Sequence, residues 1–112
     1  MSSITTHVLD IAVGQPARGL SVRLDHLSGS GWERVSERNT DDDGRVRDLH
    51  LGPQIPKGVY RITFATRNYF HSKGAPTFYP EVQVMFEVGD PGQSYHVPLL
   101  LSAYGYSTYR GS

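Results

Sequence analysis

The chain has 112 residues, of which 38% are hydrophobic and 11% aromatic, and its eleven basic and eleven acidic side chains give a formal net charge of zero. This length and composition fit one globular domain with its own core. The basic residues form no stripe of the kind that binds nucleic acid, and no apolar run is long enough to span a membrane.

Cysteine is absent from the sequence, which excludes disulfides, thiolate metal sites and a cysteine nucleophile. The first residues, MSSI, lack the positively charged start and the apolar stretch of a secretory signal. We therefore expect a cytoplasmic protein, although a leader that had been removed would leave the same sequence.

Turn-forming residues divide the chain into short segments with the two-residue alternation of β-strands. The predicted strands, in chain order, are 4–13, 20–27, 32–38, a short strand ending at 51, 58–66, 82–88, 95–101 and 104–109. Residues 14–16, 28–31 and 40–44 are predicted turns or loops, and 67–73 a short helix closed by Gly74. About eight strands predict an all-β fold, a single domain over residues 1–112 in which two antiparallel sheets pack as a sandwich.

Two of the predicted strands carry apolar residues on both faces. In segment 95–101 one face holds Val97, Leu99 and Leu101, and the other holds His96, Pro98 and Leu100. In the first strand, His7 shares a face with Leu9. Each sheet of a sandwich has only one inner face, so a second apolar face predicts a subunit interface. Both histidines would lie on that surface, where a site shared between subunits can form.

Four segments together resemble the 5-hydroxyisourate hydrolases, a family of transthyretin-like proteins. They are residues 4–10 (ITTHVLD), 14–17 (GQPA), 43–45 (DGR) and 95–112 (YHVPLLLSAYGYSTYRGS). The terminal Tyr-Arg-Gly-Ser is the most specific of these motifs. Ala103 departs from the family pattern, which often has proline there, but this position belongs to a turn. The resemblance extends over the whole chain.

The resemblance implies a transthyretin-like sandwich that hydrolyses 5-hydroxyisourate to 2-oxo-4-hydroxy-4-carboxy-5-ureidoimidazoline, a step of urate degradation in purine metabolism. It also implies a homotetramer, a dimer of dimers whose active sites lie in a channel at the dimer–dimer contact, with no cofactor and no metal. The implied catalytic residues are His7, Arg45, His96 and Ser112. The implied substrate-binding residues are these four together with Tyr109, Arg110 and Gly111.

The chemistry of these side chains fits hydrolysis of a cyclic amide. Histidine titrates near neutrality, so His7 and His96 together can orient and deprotonate a water molecule, and their ranking stays open. The planar guanidinium of Arg45 suits a urate-like edge and a developing oxyanion. Tyr109 can stack on the ring or donate a hydrogen bond. Ser112 offers a hydroxyl or a terminal carboxylate to hold the substrate or a catalytic histidine.

The alternative function is that of a transthyretin-like carrier of small molecules without catalysis. Transthyretin shares the fold but lacks the two histidines, the loop arginine and the Tyr-Arg-Gly-Ser end. A carrier channel also needs apolar walls, whereas this one would present two histidines and an arginine.

Metal sites find little support in the sequence. The five histidines lack the His-x-x-x-His spacing of zinc ligands, and residues 41–44 (DDDG) lack the alternating ligands of a calcium loop. The resemblance gives no role to His26, His50 or His71, and we expect these three at the surface or in loops.

Overall fold

The computed structural model describes residues 1–112 and contains ten β-segments and one short helix. These are β1 (Ser2–Asp10), β2 (Gln15–Pro16), β3 (Ser21–Ser28), β4 (Gly31–Asn39), β5 (Arg45–Gly52), β6 (Gly58–Phe64), α1 (Thr66–Ser72), β7 (Val82–Val88), β8 (Tyr95–His96), β9 (Leu99–Ser102) and β10 (Gly105–Thr108). One sheet has the order β4-β3-β6-β7. The other has the order β10-β9-β1-β2, with β5 and β8 also paired to β1. The predicted two-sheet sandwich with one short helix is confirmed, and that helix is too short to cross a membrane.

The core lies between the two sheets and follows the two-residue alternation of the strands. Residues of β1 alternate strictly between buried and half-buried, with Ile4 and Val8 fully buried. In β6 the aromatic side chains of Tyr60 and Phe64 are also fully buried. Each fully buried large apolar side chain contributes about 1.5–3 kcal/mol to folding. A core of twenty buried hydrophobic residues explains why the domain folds without disulfides.

The first strand ends at Asp10 and not at Val13 as predicted, because the Asp10 carboxylate begins a turn. One of its oxygens accepts the N–H of Ala12 at 3.1 Å, and the other accepts the buried hydroxyl of Tyr69 at 2.9 Å. The predicted turn at residues 14–16 also differs, since Gln15–Pro16 returns to pair with the end of β1. The apolar residues after Asp10 therefore lie on an exposed turn.

The sheet around β1 is mixed and not purely antiparallel, because β1 runs parallel to both β8 and β9. The predicted strand 95–101 is divided into these two segments at Val97 and Pro98. Proline has no N–H to donate to a neighbouring strand, which explains the break. The Val97 N–H still donates to the Thr5 carbonyl at 2.9 Å, so the inward and outward alternation continues through the interruption.

A bulge in β5 sets the position of Arg45. The pairing of β1 with β5 passes from Ile4 opposite His50 to Thr6 opposite Val46, so β5 contains two extra residues at this point. As a result His7 lies opposite Arg45. Bulges of this kind commonly redirect side chains beside functional sites.

The loop before β5 is held by hydrogen bonds to Asp41 and contains a glycine that no other residue can replace without strain. The Asp41 carboxylate accepts the N–H groups of Asp43 and Arg45, each at 2.9 Å, and the Arg45 bond is the main cause that lowers the pKa of Asp41. Gly44 has φ +75°, and a Cβ there would collide with the Val8 carbonyl oxygen. The loop therefore fixes the start of β5.

We predict that Gly44→Ala destabilises the fold by about 3 kcal/mol, because left-handed strain of about 1–2 kcal/mol adds to a backbone collision. Gly14→Ala is the matched control: Gly14 has φ +67°, but a Cβ added there would meet nothing within 4 Å. It should cost only the strain. Urea unfolding of both variants measures the difference, and equal losses would contradict the role given to the collision.

Candidate active site

A polar cavity of about 270 Å³ lies on the outer side of the mixed sheet, where β1, β5, β8 and the C-terminal tail meet. Its polar lining includes Thr5, Arg45, Arg47, Ser94, His96 and Ser112. No aspartate or glutamate side chain lines it. Two guanidinium groups therefore face a site suited to a ligand that is rich in carbonyl groups or carries negative charge.

The imidazole of His96 is held from two sides. The parallel pairing of β1 and β8 places Thr5 beside it, and the Thr5 Oγ1 lies 2.7 Å from Nδ1. On the other side Gly111 forms a bridge to His96 and donates its N–H to the His96 carbonyl at 2.8 Å. A Cβ on Gly111 would lie 2.5 Å from the imidazole Cδ2, so only glycine allows this approach.

The surroundings of His96 favour its neutral form. Burial is the main cause that lowers the pKa of the imidazole, and the charges of Arg45 and His7 lower it further, whereas a hydrogen bond to the Thr5 backbone carbonyl raises it. Because the lowering effects prevail, the ring is unprotonated near neutral pH. It can then accept a proton from a water molecule.

The other predicted histidine, His7, lies beside the cavity and does not line it. It is half-buried on the outer face of β1, opposite Arg45 and two positions from Thr5. Its charge acts on His96. The structure therefore brings His7, Arg45 and His96 to one face, as the sequence predicted.

Three of the four C-terminal residues line clefts, and they divide between two of them. Ser112 lines the polar cavity, whereas Tyr109 and Arg110 line a neighbouring cleft of about 250 Å³ that His96 also borders. The Arg110 guanidinium stacks 4.9 Å from the centroid of the Tyr95 ring and donates to the Gln93 side-chain oxygen at 2.9 Å. Substrate contacts from Tyr109 and Arg110 thus stay predictions, since within one chain these side chains face another cleft.

Six of the nine lining residues were not among those predicted from the sequence: Thr5, Thr6, Val46, Arg47, Ser94 and Tyr95. Arg47 shares the outer face with Arg45, and simple alternation along a strand that begins at Arg45 would have indicated it. Thr5 and Ser94 carry no such signal, because their place depends on the parallel pairing of segments far apart in the chain.

The remaining histidines lie away from the cavity. His26 stacks on Tyr60 with ring centroids 4.2 Å apart, so it packs within the sheet and is not the simple surface residue expected. His50 is half-buried on β5, and His71 is exposed on α1. No three histidine, aspartate or glutamate side chains converge anywhere in the chain as a set of metal ligands.

Solved structures place this architecture among the transthyretin-like sandwiches. The structure of Klebsiella pneumoniae 5-hydroxyisourate hydrolase matches with a TM-score of 0.88 and 35% identity, covering 100% of both chains. The structure of sea bream transthyretin in complex with thyroxine matches with a TM-score of 0.90 and 29% identity, covering 96% of this chain and 93% of that one.

Sequence comparison then identifies the family. The model of the HIUase/Transthyretin family matches residues 4–111, and the chain belongs to that family. A 5-hydroxyisourate hydrolase of Caulobacter vibrioides is 45% identical over 116 residues, covering 100% of both chains. The enzyme of that name from Mus musculus is 44% identical over 113 residues, covering 99% of this chain and 96% of the relative.

We predict that the His96 imidazole titrates below the ordinary histidine pKa of 6.5, because burial and the Arg45 charge disfavour the imidazolium. The folded state then binds fewer protons than the unfolded state, so this group removes stability as the pH falls below 6.5. Proton NMR titration, with His96→Asn to assign the signal, measures the midpoint. Arg45→Gln should move it upward, and an unchanged midpoint would contradict the influence of Arg45.

Proposed function

We propose that this protein hydrolyses 5-hydroxyisourate to 2-oxo-4-hydroxy-4-carboxy-5-ureidoimidazoline in urate degradation. The observation that carries the proposal is the neutral His96 beside Arg45 in a polar cavity, with His7 on the same face. Relatives that are 44% and 45% identical over nearly their full length bear the name of this hydrolase.

The fold alone does not distinguish a hydrolase from a carrier, because the transthyretin and hydrolase structures match almost equally well. The cavity does distinguish them. Only two of its nine lining residues are hydrophobic, and two arginines and a histidine are among the others. A carrier of an apolar hormone would instead need apolar walls. The composition of the cavity therefore favours the hydrolase.

In the proposed mechanism a histidine takes a proton from water, and the hydroxide formed attacks the activated cyclic amide carbonyl. Arg45 donates hydrogen bonds to the oxyanion of the tetrahedral intermediate. The ring C–N bond then breaks, the leaving nitrogen takes the proton back from the imidazolium, and the carbonyl carbon becomes a carboxylic acid, which releases a proton to solvent to form a carboxylate. Arg45 and Arg47 both suit that new negative charge.

This chemistry makes the protein a cyclic amidohydrolase that uses no metal. The polar groups that the reaction requires, a base, an oxyanion donor and anchors for the ring, are all present as side chains of the chain itself. The neutral imidazole of His96 supplies the base for a direct attack by water. Ser112, at the cavity, anchors the substrate or the water through its hydroxyl or terminal carboxylate.

Generating 5-hydroxyisourate in place with urate oxidase and following its ultraviolet absorbance tests the function. We expect the protein to accelerate the decay well above the spontaneous rate. His7→Asn and His96→Asn should each lower the rate by about two to four orders of magnitude. Arg45→Lys should also be costly, because lysine lacks the bidentate fork.

The control variant is His71→Asn, since His71 is exposed on α1 and remote from the cavity. It should leave the rate unchanged. An unchanged decay trace with folded wild-type protein would favour the carrier, and equal losses at His71 and His96 would show that the assigned site is wrong.

The same proposal includes a homotetramer whose active sites are shared between subunits. The outer face of the mixed sheet carries the neighbouring half-buried residues Leu9 and Leu100, and exposed Ile11 and Val13 lie on the turn that follows β1, so an apolar surface adjoins the site. Partner chains on this face would also enclose the cavity beside His96 and bring the side chains of the C-terminal tail near a substrate.

We predict that deleting residues 109–112 abolishes hydrolysis and leaves the tetramer intact. The last strand ends at Thr108, and Tyr109 and Arg110 are exposed, so the deletion removes little buried apolar surface. Light scattering and thermal melting of the same sample check assembly and folding. A truncated tetramer with full activity would refute the role of the tail, and an active monomer would refute the shared site.

A further inference from the structure

Thr5 is the one residue whose side chain is hydrogen-bonded to the ring of His96. Its Oγ1 lies 2.7 Å from Nδ1 and is partly buried. The two residues are direct partners in the parallel pairing of β1 with β8, and the Val97 N–H donates to the Thr5 carbonyl at 2.9 Å. The contact is therefore fixed by the backbone of two strands and does not depend on a flexible loop.

The environment on the Nδ1 side selects the tautomer of the ring. The Thr5 Oγ1 lies at this nitrogen, and a hydrogen bond from the ring to the Thr5 backbone carbonyl, which can only accept, acts to raise the pKa of His96. A proton on Nδ1 can be donated to either oxygen of Thr5, whereas a lone pair on Nδ1 could accept only from the hydroxyl. With the proton on Nδ1, the lone pair of the neutral ring lies on Nε2.

Gly111 lies at the opposite edge of the ring from Thr5. A Cβ on Gly111 would lie 2.5 Å from the imidazole Cδ2, so the residue leaves no space for a side chain there. A flipped ring would take Nδ1 away from Thr5 and bring it to this edge, where the Gly111 N–H is already donated to the His96 carbonyl. The orientation toward Thr5 gives Nδ1 its hydrogen-bond partner and leaves the Nε2 edge available to a ligand.

We propose that Thr5 is a positioning residue that holds His96 in the Nδ1–H tautomer, so that Nε2 of His96 is the general base of the hydrolysis. This inference rests on the proposed function and assigns the two histidines different tasks. His7 is half-buried on β1 opposite Arg45, beside the cavity and outside its lining. Its task is to bind the substrate or the attacking water.

The proton moves through His96 without reaching Thr5. Nε2 takes a proton from water as the hydroxide attacks the carbonyl carbon, and the Nδ1–H bond to Thr5 Oγ1 strengthens as the ring becomes an imidazolium. When the C–N bond breaks, Nε2–H returns the proton to the leaving nitrogen. Atoms and charge balance, and Thr5 keeps its own proton throughout.

Three threonine variants test the assignment. Thr5→Val removes the hydroxyl at constant shape in a residue suited to a strand, and Thr5→Ser restores it. Thr66→Val is the matched control, because the Thr66 hydroxyl donates to the Tyr79 carbonyl at 2.9 Å in a buried place at α1. Each variant is examined as the full chain by thermal melting, kinetics and nitrogen-15 NMR of the histidine rings.

We expect wild-type His96 to show the Nδ1–H tautomer, with Nε2 unprotonated. Thr5→Val should give a mixture of tautomers and lower kcat by about 10- to 100-fold, as loss of an orienting partner of a functional histidine does, with a smaller change in KM. Thr5→Ser should recover most of both signals. Thr66→Val should lower the melting temperature and leave tautomer and kcat as in the wild type.

A wild-type His96 with the proton on Nε2 would overturn the proposal, and so would a Thr5→Val protein with unchanged tautomer and kcat. Equal kcat losses in Thr5→Val and Thr66→Val would also overturn it, because the effect would then be general destabilisation. The tautomer is measured without substrate. A protein that shows the expected tautomers but no hydrolysis therefore contradicts the proposed function and supports the placement of Thr5.

Discussion

The parallel pairing of β1 with β8 and β9 is the constraint on which the site depends. It joins the first strand of the chain to the last third, so that Thr5 lies beside His96 and Val8 beside Leu99. Parallel pairing needs a long connection, and here the whole opposite sheet forms part of that connection. The core and the site therefore arise together, because packing of the sandwich brings the two histidine strands side by side.

The inner face of the mixed sheet stabilises the fold, and its outer face holds the functional side chains. The inner face is apolar and supplies stability through Ile4, Val8 and Leu99, which are fully buried. The outer face holds the titratable groups on backbone that the core makes rigid. Functional side chains on strands keep their geometry better than side chains on loops. The loop residues that do contribute are held by short backbone contacts, as Gly111 is held at His96.

Alternation alone predicts much of this arrangement from the sequence. Two apolar faces on segment 95–101 indicate an outer surface with His96, and the loop before Arg45 lies where its turn residues predict. The predictions that failed concern features set by contacts between distant parts of the chain or by the hydrogen bonds of a single side chain. The end of β1 is set by the bonds of Asp10 to the next turn and to the distant Tyr69, which no local pattern reveals. Thr5 was missed because only the parallel register makes it a neighbour of His96.

The bulge in β5 allows one strand to supply both a core residue and the arginines of the site. In an unbulged register Arg47 and not Arg45 would oppose His7, and because the slip is an even number of residues neither arginine would turn inward. A guanidinium faces His7 in both registers. Burial of Leu49, which the unbulged register would turn outward, favours the bulged one by about 1.5–3 kcal/mol. The two extra residues of the bulge therefore let Leu49 join the core while Arg45 and Arg47 both stay on the outer face.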